Sequence, residues 1–151
     1  MVADDDTDIR ELIALMLRSR GFEVVVVSEG DAALAAILSD GADGFVSDFQ
    51  MPGQDGLALC RVLRGLRAYT ALPIVMFTGL GEEDPRLLPL RHVNDLRILH
   101  KPMGLRAIVP ALIEMIPTTL TSFGAGTARA GARTVRGGDI VADGARPLAT
   151  H

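Results

Sequence analysis

The sequence predicts an α/β chain built on a doubly wound, five-stranded parallel sheet with helices on both faces. Three observations carry that expectation. Short apolar or β-branched runs alternate with helical periods five times within about 117 residues. The runs are continuously apolar, as strands buried on both faces are, rather than alternating in and out. Turn and helix-stop residues separate each run from the next, so right-handed crossovers can join parallel neighbours.

Each element follows in order. "MVA" (1–3) is a strand stub ending in Asp4, Asp5 and Asp6. Only three residues precede Asp4, which suggests a start set inside the strand. From Thr7 to about Arg20, Ile9, Leu12, Ile13 and Met16 recur at helical spacing. Asp8 and Glu11 lie toward the positive end of that helix, Arg18 and Arg20 toward the negative end, and Gly21 stops it. "FEVVVV" (22–27) reads as the second strand and "GDAALAAILSD" (30–40) as a short helix closed by Gly41. "GFVSD" (44–48) is the third strand, ending on an aspartate. The turn "QMPGQDG" leads into a helix from about Leu57 to Arg67. "LPIVMFTG" (72–79) is the fourth strand. A weaker helix after Gly81 follows, in which Pro85 can open a helix but Pro89 interrupts one. "DLRILH" (95–100) is the fifth strand, and a helix from about Leu105 to Ile116 closes the unit, with Pro110 near its start. Beyond Pro117 the periodicity ends. Residues 118–151 are rich in Gly, Ala, Thr and Arg and read as a disordered tail with too little apolar surface to offset ordering.

Composition narrows the function classes. With 48% hydrophobic and 23% charged residues, the chain reads as a soluble globular one. The single Cys60 excludes an internal disulfide or a cysteine-rich zinc site, and its apolar helical setting suggests a buried, inert thiol. No basic leader precedes an apolar run near Met1, and no stretch approaches the ~18 apolar residues of a membrane span. A cytoplasmic location without membrane contact is therefore expected. Residues 1–117 carry eleven basic and seventeen acidic side chains, net −6. That balance argues against binding DNA directly, because phosphate neutralisation needs Lys and Arg.

The polar residues gather at one place. Ligands of a doubly wound sheet bind beyond the carboxyl ends of the strands. There stand Asp4 and Asp5 from strand one, Asp48 from strand three, Thr78 from strand four, and Lys101 with Pro102 from strand five. A single Asp at a strand end is usually a turn former or a cap. Four strand ends supplying this set together are not explained by turn chemistry. Like charges ~4 Å apart at an effective dielectric near 20 repel by about 4 kcal/mol, so three carboxylates call for a cation. Hard oxygen ligands without Cys or a His cluster point to Mg²⁺. A carboxylate can also attack phosphorus, in a reaction that depends on positioning and on neutralising the phosphoryl oxygens. Lys101 is the only lysine among fifteen basic side chains. A compact ammonium suits such a crowded site better than a flat guanidinium.

"VADDDTDIRELI", "VSDFQMPGQDGL", "IVMFTG" and "HKP", in this order and spacing, resemble the receiver domain of two-component response regulators, over residues 1 to about 117. The resemblance implies a flavodoxin-like sheet with strand order 2-1-3-4-5. It implies Asp48 as phosphoacceptor, Asp4 and Asp5 as the Mg²⁺-holding pair, and Gln50 lending its backbone carbonyl to the metal. Thr78 would be the switch hydroxyl and Lys101 the cation that contacts the phosphoryl group. The Lys101-Pro102 bond would be cis. Gln50 and Leu80 fall at positions that tune hydrolysis of the aspartyl phosphate in this family. The phosphoryl source would be a histidine kinase or phosphotransfer protein, and the signal would pass by conformational change to an unknown downstream protein. The expected role is that of a phosphoaccepting regulator rather than an enzyme, with slow autodephosphorylation at most.

The departures define the alternatives. The family places an aromatic residue three before the lysine, and here that residue is Ile98. With Pro85, Pro89 and Pro110, this motivates a binding-only pseudo-receiver as the second reading. A haloacid-dehalogenase-type phosphatase needs a second Asp two residues after the nucleophile, where this chain has Gln50. His92, His100 and His151 show no ligand spacing and read as structural or surface residues.

Overall fold

A computed structural model of the chain describes residues 1–116; the tail expected at 118–151 lies outside the described residues. Five strands form one parallel sheet in the order β2-β1-β3-β4-β5. They are β1 (Val2–Ala3), β2 (Val26–Val27), β3 (Phe45–Asp48), β4 (Ile74–Thr78) and β5 (Leu96–His100). Four α-helices accompany them: α1 (Thr7–Arg18), α2 (Gly30–Asp40), α3 (Gly56–Gly65) and α4 (Ile108–Met115). The doubly wound order is the expected one, and the Lys101-Pro102 bond is cis.

Strand alternation sorts the core into two layers. Phe45, Ile74, Met76 and Leu96 face Ala33 and Ile37 of α2 and Leu59, Cys60 and Leu63 of α3. Val2, Val46, Val75 and Phe77 face Ile13 and Leu17 of α1 and Ile108, Val109 and Leu112 of α4. Each fully buried Leu, Ile or Phe contributes roughly 2 kcal/mol of transfer free energy, so both faces must be covered for the sheet to persist. Cys60 is buried in the first layer, as its helical setting suggested.

The second strand is shorter than its sequence. Of "FEVVVV", only Val26 and Val27 pair, because β1 offers only Val2 and Ala3 as partners. The prolines also shorten helices. Residues Pro85–Leu90 form a 3-10 segment in place of the expected helix. In an α-helix the Pro89 ring would strike the carbonyl of residue 85. Likewise, Pro110 would meet the carbonyl of Arg106, so Met103–Ala107 is 3-10 and α4 begins only at Ile108. Pro110 then sits in the first turn, where its missing N–H leaves no helical bond unmade.

Arg64 stitches the amino-terminal edge of the sheet. Its guanidinium donates to the carbonyls of Tyr69, Leu72, Asn94 and Asp95 at 2.8–3.2 Å. Several acceptors in fixed directions are what a planar five-donor fork satisfies. The opposite edge holds the carboxylates and the lysine.

Candidate functional site

The site begins with the acidic run after β1, whose three aspartates divide their labour. Asp6 is the N-cap of α1, accepting from the N–H groups of Asp8 at 3.0 Å and Ile9 at 3.1 Å. Asp4 is buried, with Oδ1 accepting from the Asp6 N–H at 3.0 Å, and Asp5 is exposed. Arg10, one turn into α1, reaches back to the Asp4 carbonyl at 2.6 Å and to Thr7 Oγ1 at 3.2 Å. Side chains of a helix lean toward its N-terminus, which is why a residue four after the cap can brace this loop.

Asp48 ends β3 and is 7% exposed. Its Oδ1 accepts from the Phe49 N–H at 2.7 Å. The backbone then turns through Gly53, whose φ of +74° lies in the left-handed region. Gly56 begins α3 against the strand: a Cβ there would collide with the Asp48 carbonyl and stand 2.7 Å from Met76 Sδ. Asp55 caps α3 through the Ala58 N–H at 2.7 Å.

Carboxylate oxygens of Asp4, Asp5 and Asp48 lie within 4.8 Å of one another. Lys101 Nζ bridges two of them, 2.9 Å from Asp4 Oδ2 and 3.2 Å from Asp48 Oδ2. The ammonium also stands 5.6 Å from the centroid of the Phe77 ring. Burial pushes the Asp48 carboxyl above the ordinary carboxylate range; Lys101 opposes that rise and Asp4 adds to it. Burial works against the Lys101 charge too, but the bonds and charges of Asp4 and Asp48 outweigh it and hold its pKa above the usual value. Three hard oxygen donors around one point fit a divalent cation such as Mg²⁺, and the buried carboxylates give the protein reason to accept one.

Thr78 ends β4 fully buried, with Oγ1 accepting from the Leu80 N–H at 3.1 Å. Its carbonyl accepts from the Lys101 N–H at 2.7 Å, which ties β4 to β5 beside the carboxylates. Gln50 lines a cleft of about 440 Å³ with Asp5, Phe49, Met51, Pro52, Asp55 and Arg86. Asp4, Asp5, Asp48 and Lys101 therefore meet directly, while Thr78 and Gln50 stand at the margins.

Arg86 escaped the sequence reading. It pairs with Asp84 through Nε at 3.0 Å and Nη2 at 2.7 Å, and that pairing holds the Asp84 carboxyl down to about 2. Its two-residue spacing from Asp84 was the available signal. His100, expected to be structural or at the surface, is part-buried with its Nδ1 2.7 Å from the Leu80 carbonyl, a contact the sequence did not single out.

A parallel 2-1-3-4-5 sheet with this acid and lysine cluster at its carboxyl edge defines a receiver-type fold. The chain belongs to the response regulator receiver domain family, which matches residues 1–113. It is 31% identical over 142 residues to the transcriptional regulatory protein GltR of Pseudomonas aeruginosa, covering 94% of this chain and 54% of that protein. It is 38% identical over 116 residues to the DNA-binding response regulator MtrA of Mycobacterium tuberculosis, covering 76% of this chain and 50% of MtrA. Among solved structures, the Francisella response regulator 1452 receiver domain aligns with a TM-score of 0.68 at 26% identity, over 78% of this chain and 95% of that one. The chemotaxis response regulator CheY4 of Vibrio cholerae aligns with a TM-score of 0.65 at 26% identity, over 76% and 94%.

The chain spans about half the length of the curated relatives it matches. The expectation of no direct DNA binding is corrected by these relatives, which include DNA-binding response regulators. The physical reason is plain: the net charge of the matched half says nothing about the other half of those proteins. Among the described residues, no helix is long and apolar enough to cross a membrane.

Proposed function

We propose that residues 1–117 act as a phosphoaccepting receiver, taking a phosphoryl group from a histidine kinase or phosphotransfer protein onto Asp48. The observation that carries this reading is the Lys101 bridge between Asp4 and Asp48 inside a three-carboxylate cluster. Such an arrangement costs desolvation and repulsion that a fold does not need for stability alone.

A carboxylate oxygen of Asp48 forms the new bond to phosphorus as the bond to the donor's leaving atom breaks. Asp4, Asp5, Asp48 and the Gln50 carbonyl would hold Mg²⁺, which would supply charge neutralisation for the phosphoryl oxygens when bound. Phosphorylation removes the charge of the Asp48 carboxylate, which frees Lys101 to follow the incoming phosphoryl group. The Thr78 hydroxyl accepts from Leu80, so its own proton is available to donate to a phosphoryl oxygen. Leu80, two residues beyond Thr78 and 8% exposed, offers an apolar side chain where a polar one could guide water, which slows hydrolysis. The unit works as a cytoplasmic switch, turning over its phosphate slowly. The roles of GltR and MtrA support transcriptional control as its output.

Incubation with a small acyl phosphate tests the reading. Phosphate incorporation that requires Mg²⁺ and stops with EDTA is expected. No incorporation, or incorporation indifferent to EDTA, contradicts it.

A further inference from the structure

Thr78 and His100 are register partners on the parallel strands β4 and β5. Their side chains therefore project from the same face of the sheet. Leu80 connects them. Its N–H donates to Thr78 Oγ1 at 3.1 Å, and its carbonyl lies 2.7 Å from His100 Nδ1. A backbone carbonyl only accepts, so Nδ1 must carry the proton. One residue thus joins the Thr78 hydroxyl to an imidazole adjacent in sequence to Lys101.

Two further features make this connection distinctive. Ile98 shares the His100 face of β5, two residues earlier, and packs against the α2/α3 layer. Its side chain offers no hydrogen-bonding group, so on this face of β5 the polar handle nearest Thr78 is His100. Leu80 is itself buried, so its peptide groups cannot drift freely into solvent when a partner is lost.

We propose that His100 is a positioning residue that latches the Thr78–Leu80 segment in its unphosphorylated arrangement and transmits its release to β5. This rests on the reading of Asp48 as phosphoacceptor. When the Thr78 hydroxyl turns toward a phosphoryl group, the Leu80 N–H loses its acceptor. Leu80 then shifts, its carbonyl leaves Nδ1, and His100 is freed on the face where Ile98 cannot report. The latch opposes activation, so removing it favours the phosphorylated arrangement.

The test uses the full chain with Mg²⁺ and beryllofluoride as the phosphoryl mimic. Titration calorimetry compares the parent with His100→Val, which removes the donor, and His100→Asn, whose Nδ2 can take the place of Nδ1. His100→Val should bind beryllofluoride about three- to tenfold more tightly, the equivalent of one net hydrogen bond, and His100→Asn should return toward the parent affinity. In ¹⁵N spectra, the His100 Nδ1–H signal of the free parent should change when beryllofluoride binds. Unchanged affinity in His100→Val, with only a lower melting temperature, overturns the latch and leaves a structural histidine. An Nδ1 signal indifferent to beryllofluoride overturns it as well. A parent that takes up no beryllofluoride overturns the phosphoacceptor reading and the latch together, an outcome separable because it appears before any variant is made.

Discussion

Lys101 Nζ stands 2.9 Å from Asp4 Oδ2, joining residues 97 apart in sequence across the carboxyl edge of the sheet. The same ammonium lies 3.2 Å from Asp48. Both carboxylates are buried, so Lys101→Ala leaves two like charges without their cation. A loss of about 3 kcal/mol in urea unfolding is expected without metal. Lys101→Arg should retain fold and Mg²⁺ binding yet impair phosphorylation or switching, because a planar fork does not reproduce a point charge between two oxygens. Normal phosphorylation and beryllofluoride response in that variant would show that the lone lysine is an accident of composition.

Asp48 gives a stability prediction whose sign is set by burial. Its folded pKa is raised above the ordinary 3.8. The group therefore favours the fold below that value, and the contribution disappears as pH rises through the folded pKa. At neutral pH the ionised side chain is a cost. Asp48→Asn should raise the melting temperature by about 3 °C in EDTA and abolish the rise that Mg²⁺ produces in the parent. An unchanged or lower melting temperature in EDTA counts against this reading of the site.

Divalent-cation affinity should fall with pH, and earlier than ordinary carboxylates would require. A ligand must be deprotonated, and Asp48 takes up its proton above 3.8. Calorimetric Mg²⁺ titrations from neutral pH downward should lose affinity while exposed carboxylates remain ionised. Loss only below 3.8 would place the metal elsewhere. Lys101 acts at the other extreme: its raised pKa contributes stability below the ordinary 10.5, lost as pH rises through the folded value.

Much of this arrangement was legible in the sequence, because strand ends and their polar residues coincide. Asp4, Asp5, Asp48 and Lys101 could be placed together from topology alone, since parallel strands deliver their carboxyl ends to one edge. The chemistry at the margins was less visible. His100 is set apart by its register with Thr78, which no local spacing encodes; Arg86 pairs with Asp84 two residues away, a spacing set in a segment whose prolines turn an expected helix into a 3-10 run. Pro89 announced an interruption without saying what would replace the helix. The short pairing of "FEVVVV" depended on β1, which the six residues themselves do not contain. The mistaken exclusion of DNA contact came from extending the charge of one unit to whole proteins of this kind.

Gly56→Ala should cost about 2 kcal/mol, because the new methyl group meets the Asp48 carbonyl and Met76 Sδ in a packed layer. Moving the end of β3 should weaken Mg²⁺ binding as well. Gly65→Ala is the control: nothing lies within 4 Å of its added Cβ, and it should be neutral or stabilising by roughly 0.5 kcal/mol. Equal unfolding free energies for the two variants would show that close approach at Gly56 does not position the site.

Leu80 is buried and its N–H donates to the Thr78 hydroxyl; the proposed role of its apolar side chain in slowing hydrolysis is open to a direct test. Leu80→Glu should release phosphate several-fold faster, as followed by the decay of the phosphorylated species after donor removal. Decay no faster than in the parent would remove Leu80 from the control of hydrolysis.

The most direct measurement of the central claim is the intact mass of the parent and of Asp48→Asn after exposure to a small acyl phosphate with Mg²⁺. The parent should gain the mass of one phosphoryl group, and Asp48→Asn should gain none. A parent without that gain, or a gain that survives the substitution, would contradict the assignment of Asp48 as phosphoacceptor.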